Sequence, residues 1–392
     1  MRSLRVQSDA MSGNVESAMS VIKEIQIKTE RLLSLISQAG LGGILINSQP
    51  NFSWMTAGGR NATDLSREAG VGSLFLRRDG KRFVLANKIE MERLLTEELA
   101  GQGYEPVDFA WEEEKGNPNL IAHVARSLTT ESLPIGSDLI SGETLQLIDN
   151  DIARSRYQLT EAEIERFKSL GKDAGQAIGT VARQVEPGMT EREVARRAID
   201  ALSAVGAFPV VTLVAADDRL RRFRHPVPTD LQWKKVVMIV VCARRAGLVA
   251  SLTRIVCDGA IPEDLDIRTR GSAFVNAALF DGTRPGMTGR ELYQLAAGAY
   301  SEIGFPGEEH LHHQGGAAGY RTRDWVAHPL STERVQDAQA FAWNPSITGS
   351  KVEETCIAFE DRIEIITTSP DWPAIPIEVE GRAYVLPGVL SL

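Results

Sequence analysis

Glu186-Pro-Gly-Met-Thr-Glu-Arg-Glu193 recurs, 98 positions further on, as Arg284-Pro-Gly-Met-Thr-Gly-Arg-Glu291. Each copy follows a helical stretch and precedes another, with the Pro-Gly pair as a turn and Thr190 or Thr288 placed to cap the second helix. Two copies of one break predict a duplicated α/β half. Between them, Lys234 to Arg254 reads as a strand, a short basic turn containing Gly247, and a returning strand. Beyond the second copy come the glycine-rich stretch His312 to Tyr320, then Phe341-Ala-Trp-Asn-Pro345 and Lys351-Val-Glu-Glu-Thr355. These three segments are expected as loops or strand edges around one cavity.

Working toward the N-terminus, Thr160 followed three residues later by Glu163 signals a capping box that opens a long charged helix, and a domain boundary is expected just before it. Upstream, apolar residues recur at helical spacing from Ile22 to Ser37, Gly40 to Ile46 reads as a buried strand, and further strands are expected at Gly72 to Leu76 and Arg82 to Ala86, the last followed by a helical pattern from Lys88 to Ala100. The expected organisation is a loose tail over 1–20, a smaller α/β domain over 21–155, and a larger domain over 156–392 that carries the internal repeat. The fold class is therefore α/β (α+β).

The 392 residues, 43% hydrophobic and 24% charged, are those of an ordinary globular protein of two or three domains. A net charge of -9 gives no support to a nucleic-acid-binding surface. No apolar run approaches the ~20 residues of a membrane span, and the polar start does not read as a secretory signal, so a cytoplasmic location is expected. Cys242, Cys257 and Cys356 form no CxxC pair and are expected as buried thiols.

The order of these pieces resembles the creatinase, prolidase, aminopeptidase P and methionine aminopeptidase superfamily with its pita-bread fold. Asn51-Phe-Ser-Trp-Met-Thr-Ala-Gly58 is similar to the "N-x-x-Y-x-x-G" segment of its N-terminal domain, and the repeat, the strand pair ending in Thr253-Arg254 and the glycine-rich histidine segment follow in family order. The resemblance implies a peptidase site of two divalent metals held by two aspartates, a "GHGxG" histidine and two glutamates. Matched on the Thr-Arg anchor, the aspartate positions fall on Val240 and Ser251. The histidine falls on Gly316, with His313 a short register shift away, and the first glutamate on Asn344, leaving Glu353 alone. One carboxylate and an amide cannot neutralise two dications, so no dinuclear centre, no metal and no cofactor are expected.

Creatinase cleaves a C–N bond without metal, and the resemblance to it is local. His225, in Phe223-Arg-His-Pro-Val-Pro-Thr229, is similar to its catalytic histidine, Arg323-Asp324 stands where its carboxylate-binding "RE" lies, and Glu353 matches a glutamate that meets the substrate's cationic end. Creatinase has a further glutamate where Thr253 stands here. The implied activity is hydrolysis of a C–N bond in a small carboxylate-bearing substrate. His225 near its ordinary pKa suits proton transfer, though a surface-loop histidine among arginines has the same sequence. Glu353 could bind a cation or orient water, with Glu354 on the opposite face of a strand. Arg323 offers a bidentate fork, unless Arg321 and Asp324 occupy it locally.

Asn344, His312, His313, Ser251 and Thr253 are the expected polar lining, with His310 and His312 sharing one face of an extended segment and His313 the other. A single metal on His312 or His313 with His225 and Glu353 stays open. Alternative readings are an Xaa-Pro aminopeptidase-like enzyme with a rebuilt metal site, and a non-catalytic protein that binds a peptide or metabolite. The resemblance also implies a homodimer, in which Arg60 is placed to reach the partner's site, and a small-molecule or short-peptide substrate.

Overall fold

The structure, a computed structural model, describes residues 2–139 and 145–392, with side chains from residue 19 onward. It divides into two compact units: residues 1–156 with 160–163, and residues 157–159 with 164–392.

In the first unit, a helix over Arg2–Gln38 takes in the stretch expected as a loose tail. The strands are β1 (Gly43–Ser48), β2 (Ala69–Arg77), β3 (Arg82–Asn87), β4 (Glu105–Phe109), β5 (Ile135–Ser137) and β6 (Leu145–Leu147), in the sheet order β4-β3-β2-β1-β5-β6. Leu45, Phe75, Phe83, Leu85 and Ile135 form its buried core. The helical pattern expected from Lys88 resolves into a short α-turn, Met91–Arg93, and a wider turn, Leu94–Glu98. Asn51 lies in the helix Gln49–Met55, fully buried, where its amide donates to Asp138 Oδ2 at 2.9 Å. The same carboxylate accepts from the Asn47 and Ser48 backbone N–H groups, so this segment caps a strand end with a buried polar network.

The second unit contains two larger sheets and two separate hairpins. Strands β7 (Phe208–Ala216), β8 (Val236–Arg245) and β9 (Leu248–Cys257) pair antiparallel in chain order. The second sheet contains β10 (Gly315–Ala317), β11 (Trp325–Val326) and β12 (Gln339–Trp343). A small hairpin, β13 (Ser346–Ile347) with β14 (Ser350–Lys351), precedes β15 (Glu354–Ala358) and β16 (Ile363–Ile365), and the second sheet runs β11-β10-β12-β15-β16. A hairpin of β17 (Ala374–Val379) and β18 (Arg382–Pro387) follows, and β19 (Val389–Ser391) adds to β9. Residues 246 and 247 turn β8 into β9 with positive φ at both, which matches the twist of a two-residue hairpin.

The duplication is visible bond by bond. Gly188 and Gly286 both take φ +95°, a conformation that excludes a side chain at little cost only in glycine. Gly188 N–H donates to Trp233 O as Gly286 N–H donates to Val335 O, at 2.9 and 2.8 Å, and Trp233 and Val335 return bonds to Met189 and Met287. Thr190 and Thr288 accept from Glu193 N–H and Glu291 N–H, while those glutamates reach back to the threonine N–H groups. Each copy therefore starts its helix, Glu191–Ala204 or Gly289–Glu302, with the same reciprocal cap.

Candidate active site

Antiparallel pairing sets Val240 opposite Thr253 and Cys242 opposite Ser251, so these four side chains share one face of the β8–β9 pair. Val240 is buried in an apolar cluster with Met238, Ile255 and Leu220. Ser251 is fully buried and its hydroxyl donates to Cys242 Sγ at 3.2 Å. Burial pushes the Cys242 thiol up, which keeps it neutral. The face that would present two carboxylates presents a methyl-bearing side chain, a thiol and two hydroxyls.

Gly316 in β10 pairs with Val326 on one side and Ala342 on the other. A Cβ there would drive into the Trp325 carbonyl and stand 2.8 Å from Val326 Cα, so no histidine fits position 316. Asn344 is buried, and its Oδ1 has no hydrogen-bond partner among the described residues.

Glu353 lies just before β15, 2% exposed. Its Oε2 accepts from Thr253 Oγ1 at 2.8 Å and faces Lys351 Nζ at 2.9 Å, and Oε1 accepts from Arg323 Nη2 at 3.2 Å. Burial pushes this carboxyl up, but the charges of Lys351 and Arg323 and the bonds from Lys351 and Thr253 outweigh it and hold the pKa at about 2. Arg323 also donates to Thr322 O at 2.6 Å, and its Nε is buried with no partner among the described residues. Glu354 points the other way, as strand alternation requires, into an ion pair with Arg254 at 2.8 Å. Lys351 is a site residue that no motif announced. The signal was available in the spacing: Lys351 and Glu353 are two apart in an extended stretch and so share a face.

His225, in the loop before β8, meets His312 with Nε2···Nε2 at 3.2 Å, and the His312 and His313 rings stack with centroids 4.5 Å apart. This corrects the expected split of faces. The chain is not extended here but turns: Glu308–His310 is a 3-10 helix, and His310 leaves the cluster to meet Tyr293 at the surface. His312 is buried while His225 and His313 are open to solvent. Burial, then the Lys351 charge, lowers His312 to about 2. Burial and Lys351 lower His225 against the opposing pull of Glu353, and burial followed by Arg323 lowers His313. Burial and the nearby Lys351 and Arg323 charges thus favour the neutral form of all three imidazoles. The structure thus gathers Thr253, Arg323, Lys351 and Glu353 in one cluster and the three histidines in another. The influence of Glu353 and Lys351 on every histidine places the clusters side by side, whereas Ser251 is engaged with Cys242.

This donor set does not fit two metal ions. Four of the five ligand positions hold Val240, Ser251, Gly316 and Asn344, and the one carboxylate is already neutralised by Lys351 and Arg323.

A duplicated α/β half whose strand pair packs beside a glycine-rich sheet, with Ser251 N–H donating to Thr355 Oγ1 at 2.8 Å between them, has the pita-bread arrangement. Residues 165–367, just over half of the sequence, match metallopeptidase family M24, and the chain belongs to that family. Its structure is similar to the prolidase of Pyrococcus horikoshii OT3 (TM-score 0.73, 18% identity, 87% of this chain and 98% of that one). It is similar to the Xaa-Pro dipeptidase of Bacillus anthracis (0.73, 19%, 94% and 100%) and to the N-terminal domain of the FACT complex subunit SPT16 of Cicer arietinum (0.67, 12%, 88% and 96%). At these identities the likeness shows the fold. No curated protein matches the chain. Among the described residues no helix is long and apolar enough to cross a membrane.

Proposed function

We propose that the chain is a creatinase-like hydrolase that cleaves a C–N bond in a small carboxylate-bearing molecule, by chemistry that does not draw on the family's pair of metal ions. The observation that carries this is the charge of the cluster. Glu353 contributes one negative charge against two positive charges from Lys351 and Arg323, and the neighbouring histidines are neutral. The surplus positive charge favours a monoanionic ligand, and the unpartnered Arg323 Nε is a donor for its carboxylate.

In this reading the oxygen of water bonds to the substrate carbon, and the C–N electron pair leaves with nitrogen. Neutral His225 takes one water proton and hands it to that nitrogen, ending unchanged. Glu353, paired with Lys351 and Arg323, holds those two cations where the substrate carboxylate binds. The names of the structural neighbours put Xaa-Pro dipeptides, which carry both the carboxylate and the C–N bond, among the candidates. The same reading includes a cytoplasmic homodimer with Arg60 at the partner's cleft.

The test is a turnover screen of amidine, guanidine and dipeptide carboxylates beside their methyl esters. Hydrolysis confined to the free acids, with Arg323→Ala raising KM by about tenfold or more, supports the reading. Equal turnover of acid and ester sinks it.

A further inference from the structure

We infer that His225, His312 and His313 form a binding site for a single zinc-class dication, at a place distinct from the family's two metal positions. The inference deepens the hydrolase reading above and rests on it for the cation's use, but not for its binding. One ring nitrogen from each histidine lies within 4.8 Å of the other two. Two nitrogens bound at ~2.0 to 2.1 Å in tetrahedral geometry stand about 3.3 Å apart. The His225 and His312 Nε2 atoms are 3.2 Å apart, so this pair already has ligand spacing, and only the exposed His313 ring needs to swing.

A simple hydrogen bond between the two rings does not account for the cluster. It joins only two of the three rings and gives no role to His313, whose ring stacks on His312 with a nitrogen within 4.8 Å of the other two. Three neutral imidazoles with no carboxylate select a borderline transition-metal ion over magnesium or calcium, which require oxygen ligands. The burial pattern matches a reactive site, with His312 inside, His225 and His313 open, and room for a fourth ligand from solvent.

Electrostatics sets what that ligand is. Glu353, Lys351 and Arg323 together already sum to one positive charge, so a dication is retained only with an anion on its open position, either hydroxide or the substrate carboxylate. A zinc ion held there would supply Lewis acidity beside Glu353 and would take over the activation of water from His225, whose Nε2 lone pair would be on the metal.

The experiment titrates the full-length chain, stripped with a chelator, with zinc alone by calorimetry, and with cobalt alone by visible absorption. The expected result is one equivalent per chain and the intense bands of four-coordinate cobalt. Binding falls by about 100-fold or more in His312→Ala and in His313→Ala. It persists in Glu353→Gln. His313 is exposed, so its replacement keeps the fold even where His312→Ala does not, and circular dichroism checks this. Undiminished binding in a folded His313→Ala protein, two equivalents, or loss with Glu353→Gln overturns the site. Turnover without any zinc binding overturns the site and leaves the hydrolase reading. One equivalent of zinc with no turnover of any carboxylate substrate does the reverse.

Discussion

Lys351 Nζ lies 2.9 Å from Glu353 Oε2, two residues apart on one extended stretch, and both side chains are almost fully buried. With Arg323 on the other oxygen, a fixed ammonium and a fixed guanidinium supply the positive charge that bound ions supply in the dinuclear arrangement of the family.

Removing the anion leaves two buried cations without a counter-charge. Glu353→Ala should destabilise by about 3 to 5 kcal/mol, the cost of breaking a buried pair from one side. Lys351→Met with Glu353→Gln together should cost less than the sum of the single changes, since the double variant buries no uncompensated charge of that pair. Urea midpoints of the wild type and the four variants check both statements.

Acid should weaken the same cluster in a defined window. The folded-state pKa of Glu353 is depressed from its ordinary 4.5 to about 2, so its contribution is complete above pH 4.5 and is lost as pH falls toward 2. The stability gap between wild type and Glu353→Gln should be constant from pH 7 to 5 and narrow below that. A gap that widens on acidification contradicts the ion-paired state.

Two glycines should respond in opposite senses. Gly316→Ala drives a methyl into the Trp325 carbonyl, a backbone atom held by sheet pairing, and should destabilise by several kcal/mol or prevent folding. Gly298 sits in the exposed face of helix Gly289–Glu302 with nothing within 4 Å of its added Cβ, so Gly298→Ala should gain roughly 0.5 to 1 kcal/mol. Thermal unfolding of the pair reads both.

The repeated caps should be equivalent and independent. Thr190→Ala and Thr288→Ala each remove one reciprocal cap and should each cost about 1 kcal/mol, with the double variant additive. Denaturant titration of the three variants tests this.

The repeat at Pro187 and Pro285 and the strand pair around Gly247 were legible because turn chemistry and strand alternation are local properties. Glu353 was legible through the family resemblance, as the one matched ligand position that keeps its carboxylate. The partners of Glu353 were not. No motif in the sequence singled out Lys351, and only its burial beside Glu353 makes it a counter-ion. The histidines misled in a different way. Their faces were assigned from an extended backbone, whereas a 3-10 turn at Glu308–His310 rotates His312 and His313 onto one side, and their meeting with His225 depends on a contact 87 residues apart.

The crowding around Gly316 bears on how this lineage can change. In a chain that merely lacks a histidine, a few nucleotide changes would bring it back. Here β11 and β12 pair on either side of Gly316, so the sheet must open before any imidazole can enter. Position 316 is closed by backbone rather than by side chains, and point replacement there does not create a ligand.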